Sequence, residues 1–119
     1  MSGIATIITV YKRYDFLSQA INSVLSQSSP VEEVIVVTDS PERLDNLNKV
    51  KVIECKSEFH GECVVKGVQE SSKDLIFLLE DDDAFALNKI EEITKVFNGS
   101  NPVYVHNLQV YIDVNGREV

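Results

Sequence analysis

The chain has 119 residues, of which 44% are hydrophobic and 25% are charged. That length suits one compact domain, expected here to span residues 1–119, and the composition excludes a disordered or collagen-like chain. The formal net charge is −8, from 11 Lys and Arg against 19 Asp and Glu, so we expect no nucleic-acid partner. Local basic residues can still meet the phosphates of a small ligand, which keeps nucleotides among the candidate ligands.

The sequence predicts neither a membrane span nor a zinc site. No stretch reaches the roughly 18 apolar residues of a transmembrane helix, and the first residues do not resemble a secretion signal, so we expect a cytoplasmic protein. Cys55 and Cys63, with His60 nearby, match none of the familiar zinc spacings. Both thiols are expected to be reduced.

The first half of the chain alternates between strand and helix patterns. Ile4–Val10 predicts a strand, and residues 16–25 carry one apolar stripe at helical period, which predicts an amphipathic helix ending before Pro30. Glu33–Thr38 predicts the second strand. Pro41 then opens a short helix with Ser40 as its N-cap.

The second half continues the alternation. We predict a strand over residues 50–54, a weaker helix over 61–72, a strand over 74–79, a helix over 87–97 and a last strand over 102–114. The strand at 74–79 is apolar without alternation, which is typical of a central strand buried on both faces. This order predicts the α/β class, with an open, mainly parallel sheet and helices on both faces. Ligands of such sheets bind at the carboxyl ends of the strands.

Four consecutive acids, Glu80, Asp81, Asp82 and Asp83, follow the most hydrophobic strand. Neighbouring carboxylates about 6 Å apart repel by about 3 kcal/mol at an effective dielectric of 20, so a bound cation would relieve the run. In extended geometry alternate residues point to the same side, so either Glu80 with Asp82 or Asp81 with Asp83 is able to bind one ion. Hard oxygen ligands suit Mg²⁺ or Mn²⁺. A solvated acidic turn that caps the next helix is the alternative.

Two other strand ends carry groups that suit a nucleotide. Tyr11 is placed to stack on a base, while Lys12 or Arg13 is placed to meet phosphate. Asp39 is able to accept a hydrogen bond from a base or a ribose, although an ordinary Asx turn is the favoured explanation of this residue taken alone. Together the three strand ends favour a nucleotide and metal pocket.

The ordered set of motifs resembles family 2 glycosyltransferases of the GT-A fold, a Rossmann-like nucleotide-binding arrangement. The resemblance rests on residues 7–13, 23–27 and 33–40, and on residues 77–90, which are similar to that family's Asp-x-Asp segment and the helix after it. It runs from about Ile4 to Phe97 and covers the nucleotide-binding half of the fold.

The resemblance implies transfer of a sugar from a nucleotide-diphosphate donor, most often UDP-linked, to an acceptor hydroxyl, with Mn²⁺ or Mg²⁺ on the diphosphate. The acceptor is a saccharide, a lipid or a protein, and a lipid acceptor would bring the protein to the membrane surface. The residues implied in nucleotide binding are Thr9, Tyr11, Arg13, Asp39, Lys66 and Asp81. The implied metal ligands are Asp82, with Glu80 and Asp83 beside it.

The sequence departs from the family pattern at three points. Lys12 stands where Asn is usual, Thr38 stands where an Asp often precedes Asp39, and only Lys66 is available near a segment that often carries a phosphate-binding Arg. In the family the acceptor site and catalytic base come from a second half, which we do not find here. The catalytic base is therefore unassigned.

Other classes fit less well. A signalling receiver domain needs acids after its first strand and an Asp after its third, whereas Tyr11 to Arg13 and Glu54 to Lys56 stand there. Nucleotide enzymes with a phosphate loop, dinucleotide enzymes and sugar nucleotidyltransferases need a glycine-rich first turn, which is absent. A non-catalytic module of the same fold, binding a nucleotide or a protein, stays open as the alternative to a transferase.

Overall fold

The computed structural model describes residues 3–44 and 47–119. Within these residues four strands and three α-helices alternate, with one short 3-10 helix after the second strand. In chain order they are β1 Ile4–Val10, α1 Leu17–Leu25, β2 Glu33–Thr38, the 3-10 helix Pro41–Leu44, β3 Lys51–Glu54, α2 His60–Glu70, β4 Leu75–Glu80 and α3 Lys89–Ser100. The predicted α/β alternation is confirmed over these elements.

The four strands form one parallel sheet in the order β3-β2-β1-β4. The chain steps outward from β1 to β2 and β3, and then crosses back through α2 to place β4 on the other side of β1. The direction of strand addition therefore reverses between β1 and β4. Such a reversal leaves a crevice at the carboxyl ends of the two strands, where ligands of open α/β sheets bind.

Helices cover both faces of the sheet. On one face α1 and α3 share a core with alternate residues of the strands, in which Val24 and Ile90 pack with Ile8 and Val36. This packing follows from the apolar stripe of α1, whose buried residues lie three or four positions apart. On the other face α2 covers the middle of the sheet, with Cys63 in contact with the β1 and β2 side chains.

Gly67 lets α2 lie close to the sheet. A Cβ at this position would approach the Ile7 Cγ2 to 2.7 Å and the Val37 Cγ2 to 3.0 Å. Gly67 therefore fits α2 to β1 and β2, although glycine in a helix interior has low helix propensity.

Strand β4 differs from its prediction. The sequence predicts a central strand buried on both faces, but β4 is an edge strand of the described sheet, and Leu78 is 55% exposed. The reason is that α2 packs mainly over β1 and β2, so that on this face of β4 Ile76 is only partly buried and Leu78 is left exposed.

The predicted strand over residues 102–114 is wrong. Within the described part of the chain this segment has no strand, and its one pairing is an isolated bridge between Ile112 and Glu118. The segment follows α3, which runs to Ser100, beyond its predicted end, and stops at Asn101 in the left-handed conformation (φ 49°). Val103 and Leu108 are almost fully exposed, so the apolar residues that suggested a strand are not buried by the sheet.

Candidate functional site

The register of the sheet brings Thr9 and Glu80 side by side. Each is at or next to the carboxyl end of its strand, and their Cα positions are direct partners across β1 and β4. Thr9 is buried, whereas the Glu80 carboxylate extends into solvent. The last turns of the two strands therefore form one wall of the crevice at the reversal of strand order.

His60, the first residue of α2, joins these two strand ends. Its Nε2 lies 3.0 Å from the Thr9 Oγ1 and 3.9 Å from the Glu80 Oε1. The contact arises because the crossover from β3 to β4 passes through α2 and sets its N-terminal end above β1. Sequence reasoning considered His60 only as a zinc ligand and missed this position.

A cavity of about 250 Å³ opens between these residues. It brings together four of the nucleotide-binding residues implied by the sequence, with Glu80 at its edge. Its lining comprises Thr9, Val10, Tyr11, Arg13, Val37, Ser57, Glu58, His60, Cys63, Glu80 and Asp81. A larger open cleft of about 1690 Å³ continues from Glu80, Asp82 and Asp83 along β4.

The acidic run is folded rather than extended. After Glu80 the chain turns, and the Asp83 N–H donates to the Glu80 carbonyl at 3.2 Å. The turn corrects the expectation of alternate pairs, because Glu80, Asp82 and Asp83 each present one carboxylate oxygen within 4.8 Å of the others. Asp81 instead turns toward β1. None of the four acids lies in the first turn of α3, whose acids are Glu91 and Glu92, so the run does not cap that helix.

Arg13 pairs with the other side of the run. Its Nε donates to the Asp81 Oδ2 at 3.2 Å and its Nη2 donates to the Asp82 Oδ2 at 2.9 Å. The hydrogen bond and charge of Asp81, with a smaller contribution from Asp82, raise the pKa of Arg13 above its ordinary value. Charged donors and acceptors of this kind form the stronger class of hydrogen bond.

The trio of Glu80, Asp82 and Asp83 fits a hard divalent cation. All its donors are carboxylate oxygens, which suit Mg²⁺ or Mn²⁺, and all three side chains are open to solvent. Burial, and next the negative charge of Asp82, Glu80 and Asp81, raise the pKa of Asp83. A group whose ionised form is disfavoured by its neighbours is stabilised as a carboxylate by a cation.

Hydrogen bonds connect the segments that follow β1 and β2 beside the cavity. The Asp39 Oδ1 accepts hydrogen bonds from the Lys12 N–H at 3.1 Å and from the Tyr14 hydroxyl at 2.7 Å. Burial alone would raise the pKa of Asp39, but these two hydrogen bonds, the hydrogen bond from its own backbone N–H and the charge of Lys12 together lower the pKa below its ordinary value. Tyr14 also shares a hydrogen bond with Thr38. Sequence reasoning did not single out Tyr14.

The turn between Tyr11 and Arg13 has an unusual backbone. Lys12 has a φ of 62°, in the left-handed region that Asn enters more easily than Lys. The Lys12 ammonium lies 5.1 Å from the centre of the Tyr11 ring, and the ring is partly exposed. Tyr11 therefore presents an aromatic surface at the edge of the cavity.

Lys66 is not brought to this site. Its Nζ donates to the carbonyl of Glu54, the last residue of β3, at 2.7 Å. Among the described residues, neither Lys66 nor Asp39 belongs to the lining of the two cavities, although Asp39 touches the Tyr11 to Arg13 turn through Lys12.

No helix in the described ranges has the length and apolar character to cross a membrane.

Two relatives match almost the whole chain. An uncharacterised glycosyltransferase of Rickettsia bellii is 32% identical over 96% of this chain, and one of Nostoc sp. is 30% identical over 98%. The matched regions are 18% and 39% of those proteins, so the chain spans less than half the length of the relatives it matches.

Solved structures share the fold. TarS of Staphylococcus aureus superposes on 81% of this chain with a TM-score of 0.68 at 16% identity, which covers 19% of that chain. A shorter TarS chain, residues 1-349 in complex with UDP, superposes with a TM-score of 0.67 and is covered to 32%. The family model described as glycosyl transferase family 2 matches residues 5–119. The fold is therefore GT-A-like, and the chain belongs to glycosyl transferase family 2.

Proposed function

We propose that this chain forms the donor-binding part of a glycosyltransferase that moves a sugar from a UDP-linked donor to an acceptor hydroxyl. The observation that carries the proposal is the juxtaposition of the cavity at Thr9 with the oxygen trio of Glu80, Asp82 and Asp83. A nucleoside diphosphate needs both parts, since its base and its charged diphosphate lie at opposite ends. The UDP complex of TarS, which shares the fold, supports uridine as the first nucleoside to test.

The nucleoside is proposed to lie against Tyr11, with Thr9 and His60 lining the pocket behind it. Stacking on an aromatic face is worth about 1–3 kcal/mol per base. Asp39 would accept a hydrogen bond from the base, because a carboxylate has about four acceptor positions and two hydrogen bonds from Lys12 and Tyr14 leave room for another. Those two bonds fix the orientation of its carboxylate.

Glu80, Asp82 and Asp83 are proposed to hold Mn²⁺ or Mg²⁺. When bound, such an ion supplies a Lewis acid that stabilises the negative charge of the leaving diphosphate. Arg13 is close enough to the trio to donate to phosphate oxygens, and its planar guanidinium matches phosphate in two-point contact. The open cleft along β4 leaves space for a sugar beside the trio.

A thermal-shift panel tests the proposal with UDP, GDP, CDP and dTDP, each with and without Mn²⁺. A ligand that binds the folded state raises the melting temperature, and we expect the largest rise with UDP and Mn²⁺ together. Equal melting temperatures in all conditions at millimolar ligand would contradict the donor site. If another nucleotide gave the largest rise in melting temperature, its nucleoside would replace uridine in the proposal and the proposed site would stand.

A second candidate is a binding module that performs no transfer, because the described residues place a cavity beside an oxygen trio while none of them is assigned as a catalytic base. Release of UDP from UDP-sugars in the presence of Mn²⁺ tests for transfer. Turnover by this chain excludes the module and supports a transferase.

A further inference from the structure

The Asp82 carboxylate lies between a cationic side chain and two other carboxylates. On one side the Arg13 Nη2 donates to its Oδ2 at 2.9 Å. On the other side Asp82 belongs to the oxygen trio with Glu80 and Asp83. The ion pairs of Arg13 with Asp81 and Asp82 connect the acidic run to the turn that follows β1.

Arg13 is free to move away from Asp82 without disturbing the core. Its side chain is 56% exposed and the Asp82 side chain is 39% exposed, so the pair lies in solvent. Exposed ion pairs of this kind are weak, because solvent and salt screen the attraction between the two charges. The Asp81 side chain is only 14% exposed and gives Arg13 a second, more enclosed partner.

We propose that Arg13 is an internal counter-ion that competes with the divalent cation for Asp82 and turns to the diphosphate when the nucleotide binds. The inference rests on the proposed function and adds a coupling between its two ligands. A guanidinium and a divalent cation on one carboxylate repel each other, so each weakens the binding of the other, and this effect is reciprocal. Phosphate offers Arg13 a new two-point partner.

The competition predicts opposite effects of one substitution. Arg13→Gln tightens the binding of Mn²⁺ alone by about two- to fivefold, since the competing ion pair is lost. The same substitution weakens UDP binding at saturating Mn²⁺ by about fivefold or more, because a charged phosphate contact is lost. If Arg13 merely held Asp82 in place for the metal, Arg13→Gln would weaken the binding of Mn²⁺ instead.

The experiment measures free Mn²⁺ by electron paramagnetic resonance during titration of the full chain, and then UDP binding by calorimetry. The variants are Arg13→Gln, Arg13→Lys and the control Lys12→Gln. The control removes a positive charge from the adjacent residue, which makes no ion pair with the described acids at 80–83. Circular dichroism checks that each variant is folded. Arg13→Lys keeps the charge and loses the planar fork, so its Mn²⁺ affinity should lie between wild type and Arg13→Gln.

The outcomes separate this inference from the proposed function. Tighter Mn²⁺ binding in Arg13→Gln but not in Lys12→Gln, with weaker UDP binding, supports the competition. Unchanged or weaker Mn²⁺ binding in Arg13→Gln, equal gains in both variants, or unchanged UDP binding overturns it while the metal site stands. Absence of Mn²⁺ binding in wild type and all variants overturns the metal site itself.

Discussion

Thr9 and Glu80 are direct neighbours across two parallel strands, although they are 71 positions apart in a chain of 119 residues. His60 contacts the Thr9 hydroxyl and approaches the Glu80 carboxylate. This neighbourhood places the proposed nucleoside cavity beside the oxygen trio that is proposed to hold a cation.

Removal of the central carboxylate should remove the cation. Asp82→Asn is expected to weaken Mn²⁺ binding by about tenfold or more, because one of three anionic ligands is lost. Calorimetric titration with MnCl₂ measures the effect. Asp15→Asn is the matched control, since Asp15 is exposed and lies outside the trio. An unchanged affinity in Asp82→Asn would exclude the trio as the cation site.

The contact of α2 with the sheet should tolerate no side chain at Gly67. Gly67→Ala is expected to lower the free energy of unfolding by about 1–3 kcal/mol, because the new methyl group would overlap Ile7. Gly61→Ala is the control in the same helix: nothing lies within 4 Å of its added Cβ, so it should be neutral or stabilising by up to about 1 kcal/mol. Urea unfolding measures both, and equal effects would refute the close packing.

Tyr14 should support Asp39 in a pH-dependent way. The pKa of Asp39 is lowered in the fold, so its ionisation stabilises the protein above about pH 4 and this contribution is lost as the pH falls through the folded pKa. Tyr14→Phe removes a hydrogen bond to the carboxylate, raises the pKa of Asp39 and costs about 1 kcal/mol at pH 7.

Urea unfolding at pH 7 and pH 3 measures this effect, and carboxyl NMR gives the pKa of Asp39. The cost of Tyr14→Phe should shrink at pH 3. Tyr104→Phe is the control, since Tyr104 is 76% exposed. An unchanged pKa of Asp39 in Tyr14→Phe would contradict the account.

The two thiols should react slowly in the native protein. Cys55 and Cys63 are buried with their sulfur atoms 2.8 Å apart, and burial followed by the contact with Cys55 raises the pKa of Cys63 to about 12. Because the thiolate is the reactive form, labelling of Cys63 by a disulfide reagent at pH 8 should be about a hundredfold slower than in urea.

The raised pKa of Cys63 also makes the stability of the fold depend on pH. A thiol whose pKa is raised in the fold contributes stability below its unfolded pKa of about 8.5, and that contribution is lost as the pH rises toward 12. Wild type should therefore lose stability between pH 8.5 and 11 more steeply than Cys63→Ala. Rapid native labelling of both thiols would show that the pair is open to solvent.

The sequence predicted the local elements well where pattern alone decides them. The first two strands, Ile4–Val10 and Glu33–Thr38, have the predicted bounds because each is a continuous apolar run between turn residues. The sequence did not predict which strands each helix covers. For that reason β4 was expected in the centre of the sheet, whereas Leu78 lies exposed at an edge.

The sequence predicts several residues of the candidate site but not the contacts between them. The acids at 80–83 and Tyr11 are recognisable from the sequence because they lie at or directly after the end of an apolar strand. His60 is not, because its contact with Thr9 depends on the path of α2 across the sheet. The pairing of Arg13 with Asp82, 69 positions apart, depends likewise on the placement of β4 beside β1.

Paramagnetic broadening of backbone amide signals by Mn²⁺, added in substoichiometric amounts with UDP, locates the bound cation within the chain. We expect the amides of Thr9 and of residues 80–83 to broaden first. The amides of Ile4, Glu33 and Leu75, at the other end of the same strands, should stay sharp. Broadening that is centred elsewhere, or uniform over the chain, would contradict a nucleotide and cation site at the carboxyl ends of β1 and β4.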